Sequence, residues 1–408
     1  MPKARTREPQ RRQGVIRFEM PEDTLPVTHT ARILWELVGT LDLRAFTRDA
    51  RAVEGHAGRS VSSPRMLLCL WLYGISQGVG SAREIARLVQ SDTAFGWIAG
   101  DVSVSHHVLS EFRVGHSAVY DALMTDVLAS LMHKGLLSLA TVAQDGTRIR
   151  ASATAPSFRS FGSLLECRRQ AALYLKAVLA DTDNPEVTAA QKAAREAGAR
   201  DFQARVEEAI ATVRELQAGG KKDARASTTD AEARVMKMPD GGFRPGYNLQ
   251  LAVAGSPLGG ARTIVGLRVS NVGSDMSSVT PMLAQIKTRT GVLPSTLLAD
   301  ANHATHACIE HAAKCGVEAL IAVPEHEKKA RVRVPSVEVA AWRARMDTEE
   351  AQYAYRARAS LCELTNAHIK DRFGLNHVLV RGTGKVTCVM LLASLAFNLL
   401  QHAAALLT

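Results

Sequence analysis

Leu34, Leu37, Val38 and Leu41 recur at helical spacing, and Met66, Leu67, Leu70 and Leu72 repeat the pattern further on. The first 135 residues or so therefore read as mainly helical. SARE at 81–84 has the form of a capping box, in which Ser81 caps a helix and Glu84 reaches back. AREIARLVQ and SHHVLSEFRVGH predict two short helices across a turn region, an arrangement similar to a helix-turn-helix that could set Arg113 and His106 in a groove. Simple helical packing accounts for the same pattern. From Leu139 the period changes: LATVAQDGTRIRAS alternates and is rich in β-branched residues, as a strand should be.

YNLQLAVAG (247–255) and RTIVGLRVSNV (262–272) predict two further strands joined by SPLGG. A helix around Ser277–Thr290, a short buried strand STLLADA (295–301), a helix ACIEHAAKCG (307–316), a strand EALIAVP (318–324) and a long helix follow. Three strands, helix, strand, helix, strand, helix is the chain order of a ribonuclease-H-like α/β fold, an antiparallel meander extended by parallel strands through helical crossovers. Between the first two strands, residues 158–235 or so carry an apolar stripe at Val206, Ile210, Val213 and Leu216, with Leu165, Leu175 and Val178 to face it. DTDNPEV breaks the run, so a helical hairpin is expected there.

A chain of 408 residues suggests more than one domain. The organisation expected is a basic flexible arm over 1–15, a helical DNA-binding region over 16–135 and a catalytic domain over 136–408. The formal charge of +10 makes a polyanion such as nucleic acid a leading partner. Six scattered cysteines without a CxxC pair read as reduced thiols of a cytoplasmic protein, and PKARTREPQRRQG has no apolar run after it of the kind a signal peptide needs. VMLLASLAFNLLQHAAALL (389–407) is long enough to mimic a membrane span, but Asn398, Gln401 and His402 interrupt it, so a buried C-terminal helix is expected.

Three acids stand out against this framework. Asp145 lies inside the first strand, where a charge is costly unless paired or metal-bound. Asp300 ends the fourth strand, where strand ends open onto the usual site of α/β sheets, and Glu363 lies on the late helix YRARASLCELTNAHIKDRFGL. Such carboxylates are suited to two Mg²⁺ or Mn²⁺ ions and to in-line displacement at phosphorus. On an ideal helix Lys370 falls about 20° from Glu363, Tyr355 about 80° and Arg358 about 140°, which places Arg358 away from the same metal. Arg148, three residues after Asp145, is a further candidate for phosphate contact. An ordinary charged helix face explains these cations equally well, and spacing alone does not bring the acids together.

Tyr355, Arg358, Glu363 and Lys370 form Y-x2-R-x4-E-x6-K, which resembles the signature of bacterial insertion-sequence transposases of the DDE type. DGTRIRASA and LLADANHAT resemble that family's two aspartate motifs, and TTDAEARVMKMPDGGFRPGYNLQLAV and the C-terminal tail are similar to it as well. The resemblance implies a DNA transposase that cleaves at the inverted-repeat ends of its own element and joins the 3′-hydroxyl to target DNA. It implies Asp145, Asp300 and Glu363 as ligands of two divalent ions, Arg148, Tyr355, Arg358 and Lys370 as DNA contacts, and a homodimer on DNA. After the second aspartate the family usually has a small residue, Gly and an aromatic, whereas this chain has Ala301, Asn302 and His303. A metal-dependent nuclease without strand transfer and an inactive DNA-binding relic are the alternative readings.

Several motifs compete. Cys308, His311 and Cys315 share a helical face, but zinc would need another ligand from elsewhere, and buried thiols beside an exposed His is the plain reading. RGTGKVT (381–387) lacks the first Gly of a phosphate loop and has Val386 in place of Ser or Thr. Asp230, Asp240 and Asp275 are rival acids, Asp230 foremost.

Overall fold

A computed structural model describes residues 20–48, 61–180, 188–256, 259–325 and 336–407; the expected basic arm lies outside them. Six helices come first: α1 (Thr30–Gly39), α2 (Pro64–Ser76), α3 (Ala82–Ser91), α4 (Thr93–Ala99), α5 (His106–Gly115) and α6 (Ser117–His133). Leu34, Leu37 and Val38 of α1 and every residue of α2 from Met66 to Ser76 are buried. Ser63, Ser81, Asp92 and Ser105 each cap a helix by accepting a backbone N–H of its first turn, each cap being worth about 1 kcal/mol.

Two expectations change here. The capping box at Ser81 is half formed, because Glu84 pairs with Arg87 instead of reaching back. The turn region between α3 and α5 contains α4, started by Asp92. Arg113 does not face a groove: its Nη1 donates to Gly80 O at 2.8 Å and its guanidinium lies over the buried Trp71 ring. His106 packs its ring on His107 at 4.1 Å.

The sheet has six strands: β1 (Thr141–Arg150), β4 (Arg234–Lys237), β5 (Phe243–Ala254), β6 (Thr263–Ser270), β7 (Thr296–Ala299) and β8 (Glu318–Ile321). β1 pairs antiparallel with β5 and parallel with β7, and β7 pairs parallel with β8. On the far edge of β5, β4 takes the first half and β6 the second. The two remaining strands, β2 (Phe158–Ser160) and β3 (Arg225–Ser227), form a separate ribbon at the base of the expected helical hairpin. That hairpin is α7 (Phe161–Ala180) with α8 (Ala189–Ala218), closed over a small core of its own around Leu164, Val206, Ile210 and Val213. β2, β3 and β4 are three or four residues long, too short for alternation to register.

α9 (Val279–Thr290) and α10 (His306–Lys314) are the crossovers leading to β7 and β8. After β8 come α11 (Val337–Met346), α12 (Glu349–Tyr355) and a helical run, α13, made of a π turn over Ala359–Glu363, an α turn over Leu364–Ala367 and a second π turn over His368–Arg372. The expected long helix is therefore broken and underwound twice. The last long helix, α14 (Thr383–Gln401), is buried against β6, α2 and α6. By length and composition it is apolar enough to cross a membrane, yet 72% of that window is buried within the fold. The polar residues that interrupt it have a specific use. Asn398 accepts from Ile264 N and donates to Ile264 O, both at 2.8 Å, Gln401 accepts from Arg262 N, and His402 meets Thr263 Oγ1. Asn398 and Gln401 complete backbone hydrogen bonds along an edge strand that would otherwise be left open, and His402 holds a side-chain hydroxyl of that strand.

Candidate active site

The parallel register of β1 and β7 pairs Gln144 with Ala299. Asp145 and Asp300 are the next residues on each strand, and neighbouring strands lie about 4.8 Å apart, so the sheet itself sets the two carboxylates side by side. Asp145 is half-buried. It accepts from Gly146 N at 2.9 Å and from Asn366 Nδ2 at 3.1 Å. Burial raises its pKa above the ordinary carboxylate value; Arg358 opposes that rise and Asp300 adds to it.

Asp300 starts a 3-10 turn over Ala301–His303. Its Oδ1 accepts from Asn302 N at 3.1 Å and faces His303 Nδ1 at 2.5 Å, while Oδ2 accepts from Asn302 Nδ2 at 3.0 Å. Burial disfavours its charge, yet the hydrogen bond and charge of His303, with Arg358, outweigh that and hold the carboxyl below its ordinary value. Adjacent carboxyls are thus driven in opposite directions, a pattern that marks sites of acid–base or metal chemistry. Asn302 and His303, the residues that depart from the expected motif, both bond the Asp300 carboxylate.

Glu363 comes from the first π turn of α13, and its side chain is 55% exposed. Arg358 joins it to the strand acids: Nη2 lies 2.8 Å from Glu363 Oε1 and Nη1 lies 3.8 Å from Asp145 Oδ2. This corrects the ideal-helix angle. A π turn bonds residue i to i+5, which stacks Arg358 over Glu363 instead of leaving it on the far side. The guanidinium also sits 5.9 Å from the centre of the Tyr355 ring. Burial lowers the pKa of Arg358, but Tyr355 and the three acids together raise it above its ordinary value. Lys370, half-exposed on the second π turn, forms no ion pair among the described residues. Arg148 is engaged on the opposite face of the sheet, donating to Gly273 O at 2.6 Å and to Asp275 at 3.1 Å.

Asp145 and Glu363 both approach the Arg358 guanidinium, and among the described residues no group of three or more His, Cys, Asp or Glu side chains is gathered tightly enough to enclose a metal ion. The donor set nevertheless suits a hard divalent cation: oxygen ligands only, and few of them. Asp145 also carries a charge that burial penalises more than Arg358 relieves, the imbalance that a cation at this position corrects.

The rival acids are accounted for elsewhere. Buried Asp230 accepts from Tyr247 Oη at 2.8 Å and Gly382 N at 3.2 Å, and Glu232 accepts from Thr383 N, so both acids cap the N-terminus of α14. Two acids at that helix start leave RGTGKVT unsuited to phosphate. Asp275 is buried with Arg148, Asn248 and Gln250 around it, and Asp240 pairs with Arg150 and Arg244 at the surface. Cys315 Sγ approaches His311 Nε2 at 3.6 Å while Cys308 is buried. Sequence reasoning missed Asn366 and the bonds of His303. Asn366 could have been found as the residue one helical turn after Glu363, and His303 as the residue three after Asp300.

Residues 215–399 match the family model described as a transposase DDE domain. Over that span the chain is similar to transposase DDE domains. That match takes in Asp300, Glu363 and all but the end of α14, and begins after Asp145. Residues 20–115, which include α1 to α5, match a second family model, described as a transposase domain (DUF772). Together the matches support an insertion-sequence transposase, a family that implies DNA as a partner. No curated protein and no solved structure matches the chain.

Proposed function

We propose that the chain is an insertion-sequence DDE transposase with a ribonuclease-H-like catalytic domain, which cuts at the inverted-repeat ends of its element and joins the freed 3′-hydroxyl to target DNA. The observation that carries this reading is the juxtaposition at the C-terminal end of β7: Asp145 and Asp300 on adjacent strands, tied to Glu363 through Arg358. The sheet order, β5 antiparallel to both β6 and β1 and then β7 and β8 parallel to β1, supports the ribonuclease-H-like assignment.

Asp145, Asp300 and Glu363 are the residues that would hold two Mg²⁺ or Mn²⁺ ions, and those ions supply activation of the attacking oxygen and stabilisation of the leaving oxygen. The chain's own groups do the positioning. Asn366 and Gly146 N fix the Asp145 carboxylate, and Asn302 and His303 fix that of Asp300. Lys370 and Tyr355 would contact the scissile phosphate and its neighbour, Tyr355 from its place beside Arg358. Arg358 exchanges carboxylate for phosphate, a match its planar fork makes well. Arg148 is held back from DNA by Asp275 unless the loop at Gly273 moves. Joining two ends in one event calls for a homodimer on DNA, working in the cytoplasm at the nucleoid.

The test is Mg²⁺- or Mn²⁺-dependent cleavage of DNA carrying the element's ends, wild type against Glu363→Gln. Cleavage and strand-transfer products from wild type, both lost in Glu363→Gln while end binding persists, are expected. Cleavage without joined products would leave a nuclease, and binding without any cleavage an inactive relic.

A further inference from the structure

We propose that His303 is a positioning residue: a buried chain of hydrogen bonds, Asp275–Gln250–His303–Asp300, locks the orientation of the Asp300 carboxylate for divalent-ion binding. The inference rests on the metal role proposed above for Asp300.

His303 is 0% exposed, so it cannot touch DNA. Both ring nitrogens are engaged, Nδ1 with Asp300 Oδ1 at 2.5 Å and Nε2 with Gln250 Oε1 at 3.1 Å. The direction of the chain is set at its far end. Asp275, buried and paired with Arg148, can only accept, and Gln250 Nε2 lies 2.6 Å from its Oδ1. The Gln250 amide must therefore present Oε1 to the ring, so both ring nitrogens meet oxygen acceptors, and each makes its hydrogen bond only by donating an N–H. Gln144 Nε2 reaches the same Oε1 at 3.2 Å and Ser278 Oγ at 2.9 Å, which closes the other side. A ring held at both nitrogens cannot rotate, and Asp300 then has two partners on Oδ1 and one on Oδ2.

The comparison with the other acids is informative. Asp145 has two hydrogen bonds and Glu363 has Arg358 alone, so Asp300 is the most firmly oriented of the three. Packing alone does not account for this arrangement. An apolar aromatic would fill the space without the cost of burying a histidine, a glutamine and an aspartate. The chain also dictates its surroundings: Gln250 and Asp275 pass directly over Gly146, where any Cβ would come closer than 3.0 Å to both.

The experiment measures Mn²⁺ binding to the full chain by the paramagnetic resonance signal of free Mn²⁺, with DNA-end binding measured separately without metal. Asp300→Asn should remove the tight site. His303→Phe should weaken Mn²⁺ binding ten-fold or more, the usual effect of losing an outer partner of a metal ligand, with metal-free DNA binding unchanged. Gln250→Met should give a similar loss, and the double variant should be no worse than either single one, since both cut one chain. Wild-type Mn²⁺ affinity in His303→Phe, or additive losses in the double variant, would overturn the proposal. If His303→Phe does not fold, Gln250→Met carries the same test, because it leaves the ring in place and removes its second partner. A wild-type chain with no Mn²⁺ site sensitive to Asp300→Asn would instead defeat the functional reading, and the positioning role with it.

Discussion

Gly146→Ala is the substitution whose outcome the structure constrains most tightly. In a strand interior, replacing glycine by alanine ordinarily stabilises by about 0.5–1 kcal/mol, because the unfolded chain loses freedom. Here the new methyl would stand within 3.0 Å of both Gln250 Nε2 and Asp275 Oδ1, well inside normal contact distance. Neither group has room to give way, since Gln250 and Asp275 are each 3% exposed or less and bonded to one another at 2.6 Å. Breaking that bond to a charged acceptor costs about 1.5–3 kcal/mol, and leaving a buried amide without a partner costs about 1–3 kcal/mol more. After the entropic gain is set against these, Gly146→Ala should destabilise the protein by about 3 kcal/mol. Urea denaturation followed by circular dichroism reads this as a lower midpoint at unchanged slope. Gly198→Ala, on the exposed side of α8 with no atom within 4 Å of the new methyl, is the control and should stabilise α8 by about 1 kcal/mol. A Gly146→Ala protein as stable as wild type would refute the packing argument and remove the steric support for the Asp275–Gln250–His303 chain.

Asn398→Leu leaves Ile264 N and O without partners at a buried strand edge and should cost about 3 kcal/mol, seen as a lower thermal midpoint with hydrogen exchange accelerated first in β6. The two strand acids should respond to pH with opposite signs. Asp145 has a raised pKa, so its favourable contribution is complete below the ordinary aspartate value and is lost as pH rises through the folded-state value; Asp145→Asn should therefore be more stable than wild type at neutral pH and lose that advantage on acidification. Asp300 has a lowered pKa, so its contribution is present above the ordinary value and lost as pH falls through the folded-state value; Asp300→Asn should be less stable at neutral pH, with the deficit closing in acid. Thermal midpoints measured in parallel across that range check both, and equal signs for the two variants would contradict the electrostatic account.

What the sequence by itself determined were the features carried by local period. The helical start, the change to alternation at Leu139, the order of β1, β5, β6, β7 and β8 and the helical hairpin all follow from side chains spaced at one element's own repeat. The candidate acids were legible too, Asp145 because a charge inside an apolar strand needs a reason. Only the tertiary structure decided how these parts meet. The adjacency of Asp145 and Asp300 depends on the register between two strands some 150 residues apart, a pairing that no local pattern encodes. The place of Arg358 depended on two π turns that ideal helical geometry does not anticipate. Asn398, Gln401 and His402 read only as flaws in a membrane span until β6 and the residue before it supplied the polar groups they satisfy. Arg113 and Arg148 have the same charge in the sequence as Lys370, yet burial beside Trp71 and pairing with Asp275 give them structural work. A hydrophobic repeat is a property of one segment, whereas the partner of a buried polar group is chosen by whatever the rest of the chain brings to it.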